Sequence, residues 1–205
     1  MTPASVPTPG PDPAAVPASP RASSWNLPNA LTMLRIVMVP LFLWLLLSQS
    51  GESAPHRWWA AVVFAVASFT DWLDGDLARR RQLVTNFGKV ADPIADKALM
   101  GSALVGLSIL GELPWWITVV ILIRELGITA LRFWVIRRGI IPASKGGKLK
   151  TMLQAIGLLL LILPLTGFLH GLGLWVMYAA VVVTVVTGVD YVVQALRLRR
   201  TTTTE

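Results

Sequence analysis

Four aspartates occupy two closely spaced pairs within the stretch DWLDGDLARRRQLVTNFGKVADPIADK, residues 71–97. Asp71 and Asp74 are three residues apart, and Asp92 and Asp96 are four apart. On α-helices these spacings stack the members of each pair on one face. Because the connection between the pairs is short, we expect two antiparallel neighbouring helices on which the four carboxylates converge.

Carboxylates in this number favour a hard divalent cation. The sequence has no cysteine, which excludes disulfides, thiolate catalysis and Cys-ligated zinc, and oxygen donors suit Mg²⁺ or Mn²⁺. Each carboxylate in a bilayer core costs roughly 2.5–3.5 kcal/mol, so four cost about 10 kcal/mol, comparable with the stability of a whole domain. Two metal ions among carboxylates and arginines at a membrane surface indicate phosphoryl-type transfer.

The helices that carry these residues are predicted to lie in a membrane. The 205-residue sequence is 54% hydrophobic and 14% charged, with a mean hydropathy of +0.63, whereas soluble domains average about 25% charged residues. A spanning helix needs roughly 20 mainly apolar residues. The six segments that meet this need are 31–49, 57–75, 90–110, 114–136, 149–168 and 172–196. The predicted fold is therefore all-α, a polytopic membrane protein with six transmembrane helices.

The two ends of the chain have a different composition. Residues 1–24 hold half of the fourteen prolines and almost no large apolar side chain, so we expect a disordered cytoplasmic tail. A second short disordered tail is predicted at 201–205. The membrane domain is predicted to span 25–200.

Basic residues set the predicted orientation through the positive-inside rule. They concentrate after the second, fourth and sixth segments, at Arg79, Arg80, Arg81 and Lys89, at Arg137, Arg138, Lys145, Lys148 and Lys150, and at Arg197, Arg199 and Arg200. Both termini and the aspartates should therefore face the cytoplasm. The formal charge of +7 then fits an anionic membrane surface rather than nucleic acid.

The aspartate stretch resembles the signature of the CDP-alcohol phosphotransferases at every position. The matching pattern is Asp71-x₂-Asp74-Gly75-x₂-Ala78-Arg79-x₈-Gly88-x₃-Asp92-x₃-Asp96. The resemblance extends from Trp25 to Arg200. It implies a six-helix membrane enzyme, usually a homodimer, in which an alcohol attacks the β-phosphorus of a metal-bound CDP-activated lipid and CMP leaves.

The resemblance also implies a role for each position. Asp71, Asp74 and Asp92 would be metal ligands, and Asp96 would be the general base that also touches the second of two metal ions. The CDP site would be lined by Asp74, Gly75, Ala78, Arg79 and Gly88. A simpler interpretation of Asp92 alone is an N-cap, with Pro93 at the first helical position.

Other strings bear on the acceptor alcohol. NLPNALTMLRIVMVP, residues 26–40, and GKLKT, residues 147–151, resemble family members that use glycerol 3-phosphate. A simpler interpretation of the first string is an interfacial helix start with a snorkelling Arg35. The resemblance implies that CDP-diacylglycerol and sn-glycerol 3-phosphate give phosphatidylglycerophosphate and CMP, on the cytoplasmic side of a bacterial inner membrane.

Four cationic residues are candidates for the acceptor's phosphate: Arg124, Arg132, Lys148 and Lys150. Arg124 lies ten residues, or about 15 Å, from the outer end of its helix, and so it needs either a ligand or a partner such as Glu125 or Asp190. Lys148 and Lys150 lie at the start of the fifth predicted segment, and lysines at such a membrane boundary also serve as lipid-headgroup anchors. A cationic pocket predicts an anionic acceptor.

Three rival functions remain open. An enzyme that uses inositol phosphate, or a CDP-dependent cardiolipin synthase that uses phosphatidylglycerol, would have the same metal site. A cation transporter would also place carboxylates in the membrane, although these aspartates cluster at one side. Release of CMP from CDP-diacylglycerol separates the enzymes from the transporter.

Overall fold

The computed structural model describes most of the chain. Its backbone is described over residues 27–81, 86–135 and 145–201, and its side chains over 30–70, 94–95, 97–131 and 148–194. Both predicted tails fall essentially outside these ranges, and their disorder stays a prediction.

Six long helices make up the described fold. Their bounds are α1 Leu27–Leu47, α2 Ala54–Arg81, α3 Asn86–Ile109, α4 Trp115–Val135, α5 Lys145–Ile162 and α6 Phe168–Thr201. A 3₁₀ turn at Ser48–Gly51 links the first two helices. The described ranges contain no strand, so the predicted all-α class is confirmed.

The helices overlap the six predicted spans, but two segments alone among the described residues are long and apolar enough to cross a membrane. They are Ala30–Gly51 and Phe168–Gln194, with mean hydropathies of 2.2 and 2.1. In α4 the apolar run is interrupted by Arg124 and Glu125. The count of six spans therefore stays a prediction.

Helices α2 and α3 continue through the aspartate-bearing stretch. The helix α2 reaches Arg81 and α3 begins at Asn86, and the two helices contact each other, as the short connection predicted. Asp92 lies inside α3 rather than before it, so the N-cap interpretation of this residue was wrong. Helix α3 begins at Asn86, about a turn and a half before Asp92.

The core is a continuous apolar cluster among the helices. Helix α5 packs most extensively on α6, while α1 packs on α2 and α3, and α4 packs on α6. Phe42 and Phe64 join α1 to α2 with ring centroids 5.7 Å apart. Leu104 and Leu107 of α3 and Leu158 of α5 are fully buried in the same cluster.

A charged cluster joins four parts of the chain at one end of the bundle. The Arg57 guanidinium donates to Glu112 Oε1 at 2.5 Å, to the carbonyl of Ile162 at 3.0 Å and to the carbonyl of Leu161. His170 Nδ1 lies 3.4 Å from Glu112 Oε2. The start of α2, the α3–α4 connector, the end of α5 and the start of α6 therefore meet at one level.

Exposed tryptophans mark this same end. They lie near the end of α1 and the starts of α2, α4 and α6, at Trp44, Trp58, Trp59, Trp115, Trp116 and Trp175. Tryptophan is enriched where a membrane protein meets the headgroup level. The exposed tryptophans among the described side chains thus form a belt at the end where Arg57 and Glu112 meet.

Candidate functional site

The predicted metal site lies where α2 and α3 approach their shared connector. Asp71 and Asp74 belong to the helical backbone of α2, and Asp92 and Asp96 to that of α3. Their side chains lie outside the described set, as do those of the other predicted signature and acceptor residues Gly75, Ala78, Arg79, Gly88 and Arg132. The roles of these residues therefore stay predictions.

The donor set fits a hard divalent cation in its chemistry, since it offers four carboxylates from two contacting helices and no thiolate. Among the side chains that the structure describes, no group of three or more histidine, aspartate or glutamate residues could hold a metal ion. The described part thus offers no rival metal site.

A cavity of about 80 Å³ lies between α3, α4 and α5. Its polar lining comprises Lys97, Glu125, Lys150, Thr151 and Gln154. Lys97 directly follows Asp96 in α3, so the cavity begins one residue from the predicted general base. Since water takes about 30 Å³ per molecule in the liquid, the cavity has room for a small polar group.

Three charged side chains meet beside this cavity. The Lys150 ammonium donates to Glu125 Oε1, and its side chain is only 5% exposed. Arg124 Nη1 lies 3.3 Å from the same oxygen, and Arg124 Nη2 donates to Thr187 Oγ1 at 3.1 Å. The carboxylate of Glu125 is therefore shared by two cations, one of which is anchored to α6.

The structure separates the predicted acceptor residues. It brings Arg124 and Lys150 together through Glu125. Lys148 is exposed, and it is not among the residues that line the cavity. The alternative partner Asp190 instead accepts a hydrogen bond from Gln194 Nε2 at 2.8 Å. Of the three predicted cations whose side chains are described, Lys150 is the one that lines the cavity.

Two polar residues of the cavity were missed at the sequence level. Gln154 follows Lys150 by four residues, which places both on one face of α5, and this spacing is the signal that could have found it. Lys97 could have been found as the neighbour of Asp96. The sequence indicates Glu125 only as a partner for Arg124, because nothing in it shows that Lys150 of α5 reaches Glu125 of α4.

The N-terminal string reaches the interior of the bundle. Thr32 and Arg35, three residues apart on α1, are each only 1% exposed. Arg35 therefore does not lie along the lipid-facing surface, as the snorkelling interpretation required. The described structure gives this arginine a protein environment instead.

A family model described as CDP-alcohol phosphatidyltransferase matches residues 25–186. The chain belongs to the CDP-alcohol phosphatidyltransferase family. The match begins at the predicted start of the membrane domain and covers α1 to α5 and half of α6. The resemblance drawn from the aspartate signature is confirmed.

Curated relatives within this family cover most of the chain. A probable phosphatidylglycerophosphate synthase of Mycobacterium tuberculosis is 58% identical over 177 residues, which are 86% of this chain and 85% of the relative. A CDP-diacylglycerol–glycerol-3-phosphate 3-phosphatidyltransferase of Bacillus subtilis is 40% identical over 82% of this chain and 93% of its own length. A protein of the same name from Sodalis glossinidius is 36% identical over 78% and 88%.

Proposed function

We propose that this protein transfers the phosphatidyl group of CDP-diacylglycerol to sn-glycerol 3-phosphate, giving phosphatidylglycerophosphate and CMP. The observation that carries the proposal is the 58% and 40% identity, over 86% and 82% of the chain, to relatives named for this product or this reaction. A buried lysine at a cavity next to the Asp96 position supports an anionic acceptor.

In this proposal the aspartates form the reaction centre. Asp71, Asp74, Asp92 and Asp96 hold two Mg²⁺ or Mn²⁺ ions, which when bound neutralise the phosphates of the CDP-lipid. Asp96 accepts the hydroxyl proton of the acceptor. A bond forms between that hydroxyl oxygen and the β-phosphorus, and the bond from this phosphorus to the oxygen of CMP breaks. No covalent enzyme intermediate is needed.

The remaining signature residues hold the CDP moiety in this proposal. Gly75 and Gly88 let backbone and ligand approach closely. Ala78 and Arg79 lie one turn further along α2 and complete the site, together with Asp74. The diacylglycerol chains stay in the bilayer while the reactive phosphate lies at its edge, which is why acidic residues are placed beside apolar sequence.

A cationic wall receives the acceptor's phosphate in this proposal. Lys150 is the member that lines the cavity, while Arg124 lies behind Glu125. Lys148 and Arg132 add positive charge toward the cytoplasmic end. A phosphate dianion is attracted to this wall, whereas choline, ethanolamine or free inositol lacks the charge that the wall is built to bind.

The proposed setting is a bacterial inner membrane, with six spans and with both termini and the aspartates on the cytoplasmic side. Support comes from the two strongly apolar helices and from the positions of the basic residues in the sequence. We also propose a homodimer, as the family resemblance implies. The partners are then membrane lipids, the two substrates and a second copy of the chain.

An acceptor comparison tests this function. Purified protein in mixed micelles with CDP-diacylglycerol and Mg²⁺ is offered glycerol 3-phosphate, inositol phosphate and phosphatidylglycerol separately, and CMP release is followed. We expect turnover with glycerol 3-phosphate alone. Turnover with inositol phosphate or phosphatidylglycerol instead would overturn the proposed acceptor, and no CMP from any of them would favour a transporter.

A further inference from the structure

The cavity wall contains an acidic side chain where an anionic substrate is proposed to bind. Glu125 lines the cavity together with Lys150, and the two are in direct contact. A carboxylate at this place repels a phosphate and occupies the very cation that the phosphate needs. Its presence therefore requires a reason.

Burial of Lys150 supplies one part of the reason. Its side chain is 5% exposed, and a buried ammonium without a counter-charge is strongly destabilising. While the cavity holds no phosphate, an internal anion must neutralise this lysine. Glu125, in direct contact with the ammonium, is such an anion.

Arg124 supplies the other part. It lies 3.3 Å from the same Glu125 oxygen and is fixed to α6 by a hydrogen bond from Nη2 to Thr187. It does not line the cavity between α3, α4 and α5. If Lys150 turned toward a phosphate, Glu125 would still be paired with Arg124 and would not be left as an isolated buried charge.

We infer that Glu125 neutralises Lys150 while no acceptor is bound. When the acceptor binds, Lys150 leaves Glu125 and contacts the phosphate, and Glu125 remains paired with Arg124. This inference rests on the proposed function. Once Glu125 is balanced by Arg124, the cavity presents the two positive charges of Lys97 and Lys150, which match a phosphate dianion. Glu125 is thus a positioning residue. It stabilises the protein when no acceptor is bound, and it lowers the affinity for the acceptor.

The test is the Glu125→Gln variant of the full chain in detergent. We expect a Tm several degrees below wild type without ligand, and a larger rise in Tm than wild type on addition of glycerol 3-phosphate or inorganic phosphate. The KM for glycerol 3-phosphate should fall about five-fold or more, as expected for removal of a competing anion. The KM for CDP-diacylglycerol should not change.

Two further variants keep the test decisive. Glu125→Asp retains the charge and should return the phosphate-induced Tm rise toward that of wild type. If Glu125→Gln alone does not fold, the double variant Arg124→Gln with Glu125→Gln removes the carboxylate without changing the net charge, and it should show the same larger rise. A wild-type or smaller rise in these carboxylate-free variants, or a raised KM for the acceptor, would overturn the inference.

Glu112→Gln is the matched control. Glu112 is also shared by two basic groups, Arg57 and His170, but it lies in the α3–α4 connector and does not line the cavity. Its loss should lower the Tm without altering the phosphate-induced rise, and an equal change in that rise would contradict a local role for Glu125. Because the rise is measured without CDP-diacylglycerol, it reports on Glu125 even if wild-type protein makes no product from glycerol 3-phosphate.

Discussion

Two buried basic side chains in the helix bundle are each paired with a carboxylate. At one end of the bundle Arg57 binds Glu112 and two backbone carbonyls, and near the middle of α4 Lys150 binds Glu125. In a low-dielectric surrounding each such charge needs a partner. The difference between the two clusters is that Glu125 and Lys150 line a cavity, which is the observation behind the proposed exchange of Glu125 for the acceptor's phosphate.

Asp96 is the residue on which the proposed chemistry depends most. We expect Asp96→Asn to lower kcat by roughly 10²–10⁴-fold, the usual contribution of a general base. Binding of CDP-diacylglycerol should largely persist, because Asp71, Asp74 and Asp92 remain. Steady-state turnover and equilibrium binding of the CDP-lipid measure the two effects, and undiminished turnover would remove Asp96 from the role of base.

Lys150 and Lys148 offer a matched comparison two residues apart. Lys150 is buried at the cavity and Lys148 is exposed. We expect Lys150→Met to raise the KM for glycerol 3-phosphate by about ten-fold or more, since a hydrogen bond to a charged group contributes roughly 1.5–3 kcal/mol. Lys148→Met should raise it less, because solvent screens an exposed charge. Steady-state kinetics at varied glycerol 3-phosphate concentration measure the two KM values. A larger rise in KM for Lys148→Met than for Lys150→Met would place the phosphate near Lys148.

At the scale of helices, apolar length and loop composition predicted where each element lies. The boundaries of α2 and α3 were harder to predict, since Asp71 to Arg81 is too polar for a lipid-facing span and yet continues the helix. The reason is that an aspartate or arginine keeps its backbone N–H and C=O, so a polar segment can continue a helix without losing backbone hydrogen bonds. Periodicity within one segment also could not show that Lys150 of α5 reaches Glu125 of α4, because that contact depends on long-range packing.

Close packing of α5 on α6 depends on a small residue. A Cβ at Gly157 would lie 2.8 Å from the Met177 sulfur and 3.3 Å from its backbone nitrogen. We expect Gly157→Ala to destabilise the fold by roughly 1–3 kcal/mol through overpacking. Gly171→Ala is the control, since a Cβ there meets nothing within 4 Å and alanine favours a helix. Thermal unfolding in one detergent compares them, and equal Tm values would contradict this packing.

For the whole molecule, the all-α class and the family could be predicted from composition and from the aspartate signature, and both are confirmed. The Arg57 cluster could not be predicted, because Arg57 of α2, Glu112 of the α3–α4 connector and His170 of α6 are far apart in the sequence. The orientation was predicted from basic residues alone. It stays a prediction.

The absence of cysteine from the sequence makes the proposed topology directly testable. Single cysteines at Glu52 and Thr166, both exposed at the tryptophan end, should react with a membrane-impermeant maleimide added to intact cells. Cysteines at Ala4 and Thr203 should react only after permeabilisation. Labelling of either terminal position from outside would contradict the proposed orientation, and labelling of just one of the two would contradict an even number of spans.

The most direct test of the central claim follows both products of one reaction. Wild-type protein in mixed micelles receives CDP-diacylglycerol, Mg²⁺ and radiolabelled glycerol 3-phosphate, and both CMP and lipid-phase label are counted. The proposed transfer predicts one labelled lipid for each CMP released, with neither formed when CDP-diacylglycerol is omitted. CMP release without label in the lipid, or no release of CMP at all, would contradict it.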